Sequence, residues 1–156
     1  MIPQINKPVA STVTDPFMVG YLLMHHAQYV DAMLYWASQD KENVVVQYNT
    51  ALCCFFAKDY ACGKTTIENC IRNIQISNPI QRNTAINNLL DMEAQSENYL
   101  HPLLSASLIL CAELVLLRAN RLLYDICLQL GDTVTTQRLA TTLANKNFTN
   151  IKRNSG

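Results

Sequence analysis

Leu22, Tyr29, Met33 and Trp36 recur at helical spacing, with Leu23, Val30 and Leu34 alongside them. The pattern predicts one helix opening at Asp15-Pro16. Asp is a good N-cap, and Pro suits the first helical position because the N–H it lacks would be unpaired there. The polar stretch SQDKEN (38–43) ends that helix. A second helix is predicted from about Glu42 to Lys58, turning Val45, Tyr48, Leu52, Phe55 and Phe56 inward. The valines at 44–46 are the best strand signal in the chain, but no turn chemistry flanks them, so the helix is preferred. A third helix is predicted from about Ala61 to Ser77, with Ile67, Cys70, Ile71 and Ile74 as its stripe. Asn78-Pro79 should stop it and cap a fourth helix carrying Ile86, Leu89, Leu90 and Met92. After SENYLHP (96–102) the chain reads as one long helix to Leu130, closed by Gly131 as a C′ residue. A short helix around Gln137–Ala144 is expected before the end frays.

These elements predict an all-α fold of five or six helices. Residues 15–131 form the helical domain, preceded by an extended arm (1–14) and followed by a polar, mildly basic tail (132–156). Apolar residues make up 49% of the chain and charged residues 15%. The usual charged share is about 25%, so the surface is expected to be poor in charge or covered by a partner. Formal net charge is zero, which gives no global pull toward nucleic acid or anionic lipid. Residues 1–131 carry eight basic against eleven acidic side chains, and the tail carries four basic against Asp132 alone. Residues 103–117 are apolar except for Ser105, Ser107 and Glu113. A membrane-spanning helix needs about 20 apolar residues, so this run is expected to be a buried central helix.

AKDYACGKTT (57–66) ends in Gly63-Lys64-Thr65, as a phosphate-binding loop does. The loop motif would place its first glycine at 58, where Lys58 stands, and it would follow a strand that is not predicted here. No nucleotide is therefore expected, and Lys64 should lie exposed without a phosphate role. The spacing of residues 44–79, VVVQYNTALCCFFAKDYACGKTTIENCIRNIQISNP, instead resembles one tetratricopeptide-type helical hairpin. Ala51 falls on that family's small residue in the first helix, and Lys58-Asp59-Tyr60 on its turn. Gly63 falls on the small residue of its second helix, Ile67 and Cys70 on the apolar positions that follow, and Pro79 on the closing proline. Gln47 and Thr50-Ala51 depart from the pattern, and no second copy appears about 34 residues away. The resemblance implies protein or peptide binding without catalysis. More broadly, residues 17–117 look like small all-helical bacterial proteins and like chaperone-adaptors of specialised secretion systems.

Candidate chemistry is sparse. His25 and His26 are neighbours, so on a helix they point about 100° apart; with His101 and Asp31 they make no metal-ligand spacing. None of the six cysteines forms a C-x-x-C pair, and the opening residues show no basic start with an apolar run after it. A reducing, cytoplasmic setting with free thiols is the expectation. Only Cys62, at a helix start beside Lys64, has the context of a reactive thiol. Glu113 lies in the most apolar segment and is expected to pair with a cation or to sit at a seam. Arg118 and Arg121 share a helix face, with Asp125 expected as Arg121's partner. No catalytic residue, cofactor or metal is expected. The expected function is that of a non-catalytic adaptor or chaperone-like subunit of a larger bacterial-type assembly, binding another protein or peptide or a second copy of itself. Phe17, Tyr21, Met24, Tyr29, Met33 and Trp36 are the expected contact residues, because Met and aromatic side chains suit binding surfaces. The alternative is a small helical enzyme or ligand-binding protein using Glu113, a histidine or Cys62.

Overall fold

The computed structural model describes residues 15–77, 84–144 and 147–154. Among the described residues there are nine helices, one 3-10 turn and no strand, so the fold is all-α as expected. In chain order the helices are α1 (Met18–His25), α2 (Tyr29–Ala37), α3 (Val44–Phe56), α4 (Tyr60–Ser77) and α5 (Thr84–Ala94). After the 3-10 turn (Asn98–Leu100) come α6 (Ser105–Leu110), α7 (Ala112–Leu130), α8 (Thr133–Leu143) and α9 (Thr149–Asn154). Helices α3, α4 and α7 pack on one another at the centre. Helix α2 lies on α3 and α1 on α2, while α5, α8 and α9 surround α7.

The three valines open a helix because Asn43 caps it. Its Oδ1 accepts from the backbone N–H of Val45 at 2.9 Å and Val46 at 3.3 Å, satisfying two groups that have no partner within the helix. Helix α3 is buried from Val44 to Cys54 except at Thr50. A helix this enclosed must satisfy its polar side chains internally. Asn49 does so by donating to the Leu103 carbonyl at 2.9 Å and accepting from the Leu103 N–H at 2.7 Å, which pins the loop before α6. Tyr48 donates its hydroxyl to the Tyr99 carbonyl at 2.5 Å, fixing the 3-10 turn over the same helix.

The α3–α4 turn runs through Lys58, which takes a left-handed backbone (φ 63°), a conformation glycine adopts more cheaply. Gly63 then lets the two helices meet. A Cβ there would lie 3.3 Å from Cys54 Cβ, 3.3 Å from Ile126 Cδ1 and 3.5 Å from the Ala51 carbonyl. At the far end of α7, Gly131 is left-handed (φ 69°), as expected for a C′ residue.

Four expectations are revised. The helix read through residues 15–37 is two helices, reversed at Ala27 (φ 57°), with the Gln28 N–H bonded to the Leu23 carbonyl at 2.8 Å. The reversal stacks α2 on α1. Gly20 makes room for Trp36, whose indole N–H points to the Met24 sulfur at 3.3 Å. The helix read through 103–130 is likewise broken, at an extended Cys111 (φ −160°, ψ 97°). On α5 the expected apolar face is largely outward: Leu89 and Met92 are exposed, and Glu93 and Ala94 are the buried residues. The expected cap at Asn78-Pro79 lies outside the described residues. Finally, α8 and α9 bring Leu139, Leu143, Phe148 and Asn150 into the interior, so the described residues after Asp132 hold two helices and part of the core where a polar tail with one short helix was expected.

Candidate functional site

Residues 17–36, read as one helix, were expected to carry the contact residues, and the two helices they form are apolar nearly all round. The fold decides which side faces in. Phe17, Met24 and Trp36 are buried and belong to the core. Their rings interlock: Phe17 and Trp36 lie 5.8 Å apart between centroids, and Tyr35 meets Trp36 edge-on at 4.9 Å. Tyr21, Tyr29 and Met33 are half-buried, Tyr29 stacking on Phe56 of α3 at 4.9 Å. The side chains left outside are Val19, Leu22, Val30 and Leu34, with 58%, 46%, 76% and 69% of their surfaces exposed. Val19 and Leu22 are three apart and Val30 and Leu34 four apart, so each pair shares one face of its helix. On each helix that face is opposite the buried pair, Gly20 and Met24 on α1 and Ala32 and Trp36 on α2. The sequence signal for it was the wide apolar girth of residues 17–36.

A shallow cleft of about 320 Å³ lies beside the hairpin, between α2, α3 and α4. Met33, Trp36 and Val46 form its apolar wall, and Lys41, Glu42 and Asn69 line its polar side.

Beneath the outer helices lies a polar clasp that sequence spacing did not locate. Arg121 is wholly buried. Its guanidinium donates to Asn150 Oδ1 (3.1 Å), to the carbonyls of Glu93 and Ser96 (2.9 Å each) and to Thr149 Oγ1 (3.0 Å). The Tyr99 ring, 4.2 Å away, and the Phe148 ring, 5.2 Å away, cover it. Arg118 makes a two-pronged pair with Glu93, at 2.8 and 3.1 Å. Asp125 was the expected partner of Arg121. Its carboxylate instead accepts from the Tyr99 hydroxyl at 2.5 Å and from Asn150 Nδ2 at 2.9 Å. Burial raises the Asp125 carboxyl above its usual range, with these hydrogen bonds opposing the shift, and burial lowers the Arg121 guanidinium. Among the described residues every buried side-chain polar atom has a partner. The clasp joins α5, the 3-10 turn, α7 and α9, and the four hydrogen bonds that the Arg121 guanidinium donates all end on the protein itself.

The other candidates are dispersed. Lys64 is half-buried rather than exposed, and it pairs with Asp132 at 2.8 Å, with Glu68 at 3.9 Å. Asp132 also accepts from the Thr135 N–H at 3.1 Å, capping α8. The Lys64 ammonium and the cap hold the Asp132 carboxyl well below the usual carboxylate range. Glu113 is half-buried in the first turn of α7, where the Cys111 thiol approaches it at 3.8 Å. His25, His26, His101 and Asp31 are exposed. Among the described residues no group of three or more His, Cys, Asp or Glu could hold a metal ion, and no helix is long and apolar enough to cross a membrane. All six cysteines are free, and Cys62 is the exposed one.

No protein-family model matches the chain, and no curated protein or solved structure matches it.

Proposed function

We propose that this chain is a non-catalytic, protein-binding adaptor, a subunit of a larger assembly that docks another protein through the outward side of α1 and α2. One observation carries the reading. Val30 and Leu34 are more than two-thirds exposed on a helix whose opposite face is locked into the core, and Val19 and Leu22 hold the same position on its neighbour. Exposed apolar side chains are common singly, but two spaced pairs on adjacent helices are what a partner's apolar ridge would cover. Burying side chains of this size contributes about 1.5–3 kcal/mol each when burial is complete, and covering the exposed parts of these four adds a fraction of that each to an interface. The remaining polar chemistry is consistent with a scaffold: Arg121, Glu93 and Asn150 hydrogen-bond across helices within the protein.

The experiment is affinity capture from cells, comparing the native chain with Val30→Glu/Leu34→Glu. Both sites are exposed, so the variant should fold with an unchanged helical spectrum. The reading expects specific proteins recovered by the native chain to be lost with the variant. Equal recovery by both chains would reject the α1–α2 face. Sedimentation analysis of the native chain distinguishes a second copy of itself as the occupant.

A further inference from the structure

The geometry points to Cys54 and Cys62 as a redox-modifiable pair that closes into a disulfide across the turn between α3 and α4 when the protein meets a peroxide. Cys54 lies in the last turn of α3 and is buried; Cys62 lies in the first turn of α4 and is exposed. Their sulfurs are 3.4 Å apart, close enough for one thiol to hydrogen-bond the other. A disulfide needs about 2.05 Å, so the two sulfurs must approach by roughly 1.4 Å, within the reach of small side-chain rotations.

The turn holds the pair in place. Asp59 donates its N–H to the Cys54 carbonyl at 2.9 Å and accepts from the Cys62 N–H at 3.2 Å through Oδ1. One residue therefore ties the backbone of both cysteines. Gly63, adjacent to Cys62, has no side chain to separate α4 from Cys54.

The other cysteines are poor competitors. Cys53, Cys70, Cys111 and Cys127 are buried. Burial pushes the thiols of Cys53 and Cys70 up to about 12 and that of Cys127 to about 11, which keeps them protonated and weakly nucleophilic. Burial raises Cys54 in the same direction. Cys62 is therefore the sulfur that an oxidant in solution reaches first.

The chemistry balances with hydrogen peroxide as oxidant. The Cys62 thiolate attacks one peroxide oxygen, the O–O bond breaks, and hydroxide leaves, giving a sulfenic acid. The Cys54 sulfur then attacks Cys62 Sγ. The S–O bond breaks, and the departing hydroxide takes the Cys54 proton to leave as water. Two thiols are oxidised by two electrons in total, and one peroxide is reduced to water. A cellular dithiol or glutathione reverses the step by thiol–disulfide exchange.

The test treats the full chain with hydrogen peroxide, then denatures and alkylates it. The pairing predicts the loss of two hydrogens from the intact mass and two fewer alkylated thiols than the six of the reduced chain. Trypsin cleavage after Lys58 separates the peptides 42–58 and 59–64, so the disulfide appears as those two peptides joined. The joined species should persist in Cys53→Ser, which shares a peptide with Cys54, and vanish in Cys54→Ser. It should also vanish in Cys62→Ser, whose exposed position leaves folding intact. Reduction should restore all six thiols. Sulfinic acid at Cys62 without a crosslink, a crosslink that survives Cys54→Ser, or a covalent dimer through Cys62 would each overturn the inference. So would equal yields of the same link from the native chain and from the chain oxidised in denaturant, because the pairing would then owe nothing to the fold.

Discussion

Gly20→Ala adds a single methyl group where α1 crosses α2. That carbon would lie 2.4 Å from Trp36 Cζ2 and 2.5 Å from Tyr35 Cδ1. Carbon atoms prefer about 3.5–4.0 Å, so one helix must move by roughly an ångström or more. Trp36 cannot yield alone: it is buried, boxed by Phe17 and Tyr35, and its indole N–H faces the Met24 sulfur. Overpacking of this kind costs about 1–3 kcal/mol, and displacement by a full ångström puts the site at the upper end. Replacing a helical glycine by alanine returns about 1 kcal/mol. The net expectation is a loss of about 2 kcal/mol, or roughly 4–8 °C in Tm for a chain of this size. Trp36 is the only tryptophan in the chain, so its fluorescence reports the event directly. The variant should show red-shifted emission and stronger acrylamide quenching, with the α3–α4–α7 centre retaining its helical spectrum. Unchanged emission with an unchanged or higher Tm would refute the close packing of α1 on α2.

Gly63→Leu should cost about 2 kcal/mol in denaturant unfolding, because overpacking between α3 and α7 outweighs the helix-propensity gain of losing a glycine; a neutral or stabilised variant would contradict the tight α3–α4 approach. Lys58→Gly should raise Tm by about 2–4 °C, since glycine takes the left-handed turn conformation without the cost of about 1 kcal/mol that a side chain brings. For Asp125, burial raises the folded-state carboxyl above the usual 3.8, so its stabilising contribution is full below pH 3.8 and is lost as pH rises through the raised value. Asp125→Asn is neutral throughout and should remove that segment of the stability–pH curve; identical curves for both chains would contradict the assignment.

How much of this could be read from sequence depends on whether the cause was local. The α3–α4 hairpin was legible because its stripe of Ile67, Cys70 and Ile74 and its break near Lys58 are properties of a short stretch. The C′ role of Gly131 was legible for the same reason. The reversal at Ala27 was not, because no glycine or proline marks it. An alanine is held in a costly backbone conformation by the burial of Trp36 against Gly20, a contact made 16 residues apart in sequence. The break at Cys111 is equally unmarked within an apolar run. Arg121 was assigned to Asp125 because helix spacing exposes neighbours four apart; its actual partners come from α5, the following turn and α9. The polar composition of residues 132–156 hid Phe148 and Asn150, which become interior because they close over that buried cation. On the α1–α2 hairpin the abundance of apolar side chains was visible, but the inward choice of Phe17, Met24 and Trp36 was not. That choice is made only when α2 folds back on α1, and it leaves Val19, Leu22, Val30 and Leu34 outside.

The docking claim is tested most directly by hydrogen exchange and side-chain footprinting of the full chain, alone and bound to the partner recovered by capture. Val19, Leu22, Val30 and Leu34 should lose solvent access on binding, while α7 and the Arg121 clasp stay unchanged. Protection confined to other elements, with these four side chains as accessible in the complex as in the free chain, would contradict it.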